Sequence, residues 1–129
     1  VAAHPDKHTL LAMHHNPILV DCKWLDQHCM DNGEEFLDRV SSLPQVKGLL
    51  WGHVHQGLDQ VYAGNSGPLR LMATPSTCIQ FKPKSPYFAL DAQQPGYRLL
   101  ELKPDGSILT NVYRVPGNKF SPDHESSGY

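Results

Sequence analysis

Two apolar runs, each ending on a histidine motif, constrain this chain more than any other feature. His8-Thr9-Leu10-Leu11-Ala12-Met13 leads into His14-His15-Asn16-Pro17, and Val46-Lys47-Gly48-Leu49-Leu50-Trp51 leads into Gly52-His53-Val54-His55. Short apolar runs bounded by turn residues read as buried strands. Between them, Asn32-Gly33-Glu34-Glu35 has the form of a capping box, with Asn32 as N-cap and Glu35 reaching back. Phe36, Leu37, Val40 and Leu43 follow at helical spacing, and Pro44 forbids continuation. The order is strand, helix, strand, for which a right-handed crossover is the default. Both histidine motifs then leave the sheet where its strands end, the edge at which open α/β sheets bind ligands.

The chemistry of imidazole sharpens this. His53 and His55 at i and i+2 point the same way from an extended backbone, and Gly52 lets that backbone turn and approach a ligand. Neutral imidazole is a common ligand for zinc, iron and other first-row metals. His14, His53 and His55 are therefore read as metal ligands. His15 points elsewhere if its backbone is extended, which favours support or packing over ligation. Asn16 and Pro17 shape the loop. His4, His8, His28 and His124 have no partner spacing and read as surface or capping histidines. A cupin reading of His53-Val54-His55 fails, because the nearest following acid is Asp59 and the only later histidine is His124.

Beyond His55 the pattern becomes that of short strands. Residues 58–63 and 69–73 flank Gly64-Asn65-Ser66-Gly67-Pro68, a hairpin-like connector. Proline and polar residues dominate 75–86. Residues 97–102 and 108–113 flank the turn signal Lys103-Pro104-Asp105-Gly106 and should form an antiparallel hairpin. The segment from Pro116 to Tyr129 lacks apolar periodicity and reads as a surface tail on a single domain spanning 1–115. The hydroxyls of Thr74-Pro75-Ser76-Thr77 either face a substrate pocket or form local turns. The fold class is strand-rich α/β.

Composition excludes several function classes. A net charge of −2 gives no electrostatic reason to expect nucleic acid. No apolar run approaches the roughly 20 residues that span a bilayer. Cys22, Cys29 and Cys78 are odd in number and lack zinc-type spacing, which fits a reducing, cytoplasmic setting.

His-His-x-Pro at 14–17 and Gly-His-x-His at 52–55, with His53 following His14 by 39 positions, together resemble the calcineurin-like metallophosphoesterases. Trp24-Leu25-Asp26-Gln27-His28, Gly52 to Gln56, and Thr74 to Pro83 are similar to bacterial class III cyclic-AMP phosphodiesterases, and the similarity covers nearly the whole chain. The resemblance implies a four-layer α/β/β/α sandwich around two divalent ions of iron, manganese or zinc. It implies hydrolysis of 3′,5′-cyclic AMP to 5′-AMP by two-metal-activated hydroxide. His14 and His53 would hold one ion and His55 the other; His15, Thr74, Ser76 and Thr77 would face the small-molecule substrate. The family's Gly-Asp and Gly-Asn-His blocks, which precede these motifs, do not occur in residues 1–129. The chain is thus expected to be the C-terminal half of such an enzyme, inactive alone and prone to self-association through uncovered sheet. Other phosphodiesters, such as glycerophosphodiesters, and a non-catalytic scaffold of the same fold are the alternatives.

Overall fold

The structure, a computed structural model, describes residues 1, 3–117, 121–123 and 125. The expected tail from Pro116 falls largely outside the described residues, as does His124. Among the described residues the elements are β1 (Thr9–Met13), α1 (Lys23–Asp26), α2 (Gly33–Ser41), β2 (Val46–Trp51), β3 (Asp59–Gly64), β4 (Gly67–Ala73), β5 (Gln80–Phe81), β6 (Leu90–Asp91), β7 (Gly96–Leu102) and β8 (Ile108–Arg114).

Four strands form a mixed sheet in the order β1-β2-β4-β3. β1 and β2 are parallel, β2 and β4 are parallel, and β3 returns antiparallel to β4. The two-residue turn Asn65-Ser66 makes that return, since Gly64 pairs with Gly67. Met13 pairs with Trp51, and Trp51 with Ala73. Three strands therefore end level, and His14, Gly52 and Thr74 emerge together at one edge of the sheet. This register positions the site.

The core lies where α2 covers the sheet. Leu37 and Val40 of α2 pack with Leu49, Trp51, Leu69 and Leu71, joined by Cys22 and Leu25 from the α1 segment. Leu49, Trp51, Leu69 and Leu71 are each at most 1% exposed, and each such side chain withdrawn from water contributes about 2 kcal/mol. Hairpin β7–β8 attaches elsewhere on the sheet through polar anchors. Arg98 donates to the carbonyls of Ala73 and Leu58 and to Asp59. Arg70 grips Asp59 with two nitrogens and also donates to the carbonyl of Ile108.

Strands over both parallel runs, the 58–73 hairpin and the 97–113 hairpin agree with expectation. Three features differ. Asn32 is the N-cap of α2 by position, but its side chain makes no capping hydrogen bond. The helix start is fixed instead by backbone, with Gly33 donating to the Met30 carbonyl and Phe36 to that of Asn32. Between Pro17 and Asn32, where the sequence offers no apolar period, one helical turn, α1, forms. The proline-rich segment contributes β5, which pairs with β6. Among the described residues no helix is long and apolar enough to cross a membrane.

Candidate metal centre

One ring nitrogen from each of His14, His15 and His53 lies within 4.8 Å of the others. The rings of His14 and His53 are 5.3 Å apart, those of His14 and His15 5.0 Å, and those of His15 and His53 4.4 Å. The His28 ring stands edge-on to His53 at 5.6 Å. His55 is not in this set; its ring is stacked on Phe81 at 4.2 Å.

Local backbone explains the grouping. His53 and His55 have φ of 54° and 50°, in the left-handed region, so the segment after β2 is not the extended run that the His-x-His spacing suggests. The turn that Gly52 was expected to supply is made by the histidines themselves. Non-glycine residues adopt that region at a cost and concentrate at functional sites. Val54, fully buried between them, pins the loop. The residues after β1 also leave strand geometry, which brings His15 onto the same side as His14.

Second contacts orient the rings. Nδ1 of His15 is 3.1 Å from the carbonyl oxygen of His28, and Nδ1 of His55 is 3.0 Å from that of Ile79. A carbonyl only accepts, so in both rings Nδ1 carries the proton and Nε2 the lone pair. Such an outer contact is how proteins set a ligand's tautomer. Two buried amides hold the loops in place. Asn16 donates from its side-chain Nδ2 to the Ile18 carbonyl, while its backbone carbonyl accepts from Met30 N and the Cys29 thiol. Gln80 accepts from Ser76 N and donates to the carbonyls of Ser76 and Cys78, which fixes the loop presenting the Ile79 carbonyl. Asn16 was legible as a loop-shaping residue. Gln80 carried no signal beyond its place in the Thr74–Pro83 block.

Electrostatics favour the neutral, ligating form. Burial, and then the crowding of His15, His14, His28 and His55, push His53 down to about 4. Burial also lowers His55, against the opposing hydrogen bond to Ile79. Nε2 of His53 is buried and has no hydrogen-bond partner among the described residues. A buried ring nitrogen without a partner is costly, and a metal ion there would satisfy it. The donor set is all imidazole, which suits a first-row transition metal. Among the described residues no carboxylate joins it.

The hydroxyl block is placed less decisively. Thr74 donates to the Pro75 carbonyl, and the Ser76 hydroxyl accepts from Cys78 N, both local turn bonds. Thr77 is exposed at the rim of a cleft of about 340 Å³. A larger cleft of about 520 Å³ borders His55 and is lined by Asp21, Gln56, Gln80, Phe81, Lys84 and Arg114, among others.

No family model matches the chain. Curated relatives do. A Vibrio vulnificus protein named 3′,5′-cyclic adenosine monophosphate phosphodiesterase CpdA is 50% identical over 127 residues, covering 98% of this chain and 45% of the relative. The Escherichia coli K12 protein of that name is 48% identical over 125 residues, covering 97% and 44%. A Nostoc protein named 3′,5′-cyclic-nucleotide phosphodiesterase is 38% identical over 112 residues, covering 87% and 41%. The chain therefore spans less than half the length of these relatives. Along nearly its whole length, it is a homologue of bacterial proteins named as cyclic-nucleotide phosphodiesterases.

Proposed function

We propose that this chain is the C-terminal half of a metallophosphoesterase that hydrolyses 3′,5′-cyclic AMP to 5′-AMP. In this reading residues 1–115 complete a four-layer α/β/β/α sandwich and 116–129 form a surface tail. The observation that carries the proposal is the convergence of His14 and His53 at the common end of β1 and β2, with the Nε2 of His53 buried and unpartnered. His14 and His53 would hold one divalent ion of iron, manganese or zinc, and His55 a second. When bound, such a pair supplies an activated water and neutralises charge on the phosphoryl oxygens. The chain's own part is positional. The Ile79 carbonyl keeps the His55 Nδ1 protonated, and the His28 carbonyl does the same for His15. His15, Thr74, Ser76 and Thr77 lie on the substrate side. The remaining negative ligands would come from the part of the longer protein outside this chain. A reducing, cytoplasmic setting suits the unpaired Cys22, Cys29 and Cys78.

The full-length protein, loaded with manganese or iron, is the material for the test. Cyclic AMP should turn over to 5′-AMP, and His53→Ala should lower kcat by about a hundredfold or more, as loss of a metal ligand's support does. This chain alone should be inactive. Faster turnover of a glycerophosphodiester would reassign the substrate, and comparable activity of the isolated chain would overturn the two-metal assignment.

A further inference from the structure

We infer that Gln80 and Phe81 are positioning residues that turn the His55 imidazole away from the His14–His53 group and fix it as the ligand of a separate ion, a role that rests on the two-ion reading of the function. His53 and His55 are two positions apart, with φ of 54° and 50°, and the buried Val54 stands between them. Nothing in that spacing gives the two rings different tasks; their surroundings do. His53 lies among imidazoles, with the rings of His14, His15 and His28 at 5.3, 4.4 and 5.6 Å. The His55 ring meets the Ile79 carbonyl at its Nδ1, 3.0 Å away, and the face of Phe81, parallel to it at 4.2 Å. The first contact leaves the lone pair on Nε2, and the second resists rotation of the ring out of its plane.

Both contacts come from one short block whose conformation Gln80 sets. Successive side chains of a strand face opposite ways, so in β5 Phe81 can meet His55 while Gln80 turns back into the loop. Gln80 is 1% exposed, and both ends of its amide are bonded to the backbone of residues 76–78. Its Oε1 accepts from Ser76 N, and its Nε2 donates to the carbonyls of Ser76 and Cys78. Ile79 joins that closed loop to β5, so the direction of its carbonyl follows from the two together. Phe81 is buried and is itself held edge-on by Trp24 at 4.9 Å and Phe88 at 5.8 Å. Without these two side chains, rotation about the His55 side-chain bonds would be opposed by neither contact.

The imidazole nitrogen resonances of the full-length, metal-free protein test this above about pH 7.5, where ordinary histidines are neutral. The His55 signals, assigned by their loss in His55→Gln, should report a single tautomer with the proton on Nδ1. Gln80→Leu should replace it with a mixture of tautomers, while His15, whose proton the His28 carbonyl holds, should not change. After manganese loading, Gln80→Leu and Phe81→Leu should each weaken the second ion by about tenfold or more and leave the first within about twofold. Phe81→Tyr, which retains the ring, should keep both ions. A residue serving stability alone would lower the thermal midpoint and leave the His55 tautomer as it was. That result in a folded Gln80→Leu, or equal weakening of both ions, would overturn the inference. Should both leucine variants fail to fold, the unaltered protein decides: a proton on Nδ1 of His55 supports the positioning role, and one on Nε2 overturns it. Fewer than two ions in the unaltered protein would count against the proposed function instead, because the tautomer readout needs neither metal nor substrate.

Discussion

His53 shows how far single residues in this chain depart from what spacing alone suggests. Its closeness to His14 was legible, because strand, histidine, helix, strand and histidine leave few other arrangements. The left-handed φ was not, since no residue pattern encodes that conformation outside glycine. For the same reason His15 and His28 were placed away from the centre by sequence and are found beside it. The depressed pKa of His53 has a thermodynamic consequence. Its proton is disfavoured in the folded chain, so between 6.5 and about 4 the unfolded chain binds more protons, and stability falls as pH is lowered through that window. Asp59 acts further down. Its hydrogen bond to Arg70, aided by the charges of Arg70 and Arg98, holds its carboxyl below the usual value of 3.8. That contribution is fully present above the usual value and is lost as pH falls through the depressed one. The thermal midpoint of the metal-free chain should therefore decline in two stages. His53→Gln should shrink the upper stage, to which the lowered His55 also contributes, and leave the lower one; a single stage below pH 4 in the unaltered chain would contradict the burial of His53.

At the level of elements, the longer segments were legible and the shortest were not. β1, β2, α2 and both hairpins declare themselves through apolar runs, helical spacing or turn residues. α1 is four residues long, and β5 and β6 are two each; such pieces exist because of what they pack or pair with, and carry no period of their own. The start of α2 is a related case. Asn32 and Glu35 spell a capping box, yet the entry is set by the approach of Gly33 to the His14–Pro17 loop, where an added Cβ would lie 2.2 Å from the Pro17 carbonyl oxygen. Backbone against backbone cannot yield as a flexible side chain can. Gly33→Ala should cost about 2 kcal/mol in urea unfolding, and it should also weaken metal binding, since the displaced loop carries His14 and His15. A neutral result would mean that the helix start adjusts without moving the loop.

The whole molecule carries unpaired edges. Among the described residues β1 is paired only with β2, and β3 only with β4. Hairpin β7–β8 also presents Tyr97, Leu99, Leu109 and Tyr113, each at least 43% exposed, with the two tyrosines stacked. From the registry Tyr97↔Tyr113 and Glu101↔Leu109, these side chains share one face. Open edges and contiguous apolar surface favour association. Sedimentation of the chain at micromolar concentration should show a concentration-dependent dimer, and Leu99→Lys should shift the balance toward monomer if the hairpin face is the contact. A monomer at every concentration would show that the chain closes its own core.

The level ending of β1, β2 and β4 has one more consequence, for how the sheet assembles. β1 already carries an irregularity between Thr9 and Leu10 in its pairing with β2. A slip by one residue would turn the strand's faces over and carry His14 away from His53. An ion present during folding would stabilise only the chain whose strands are aligned as Met13 with Trp51. It would act as a proofreader of alignment, rewarding the correct sheet among near-equivalent ones before any substrate is met.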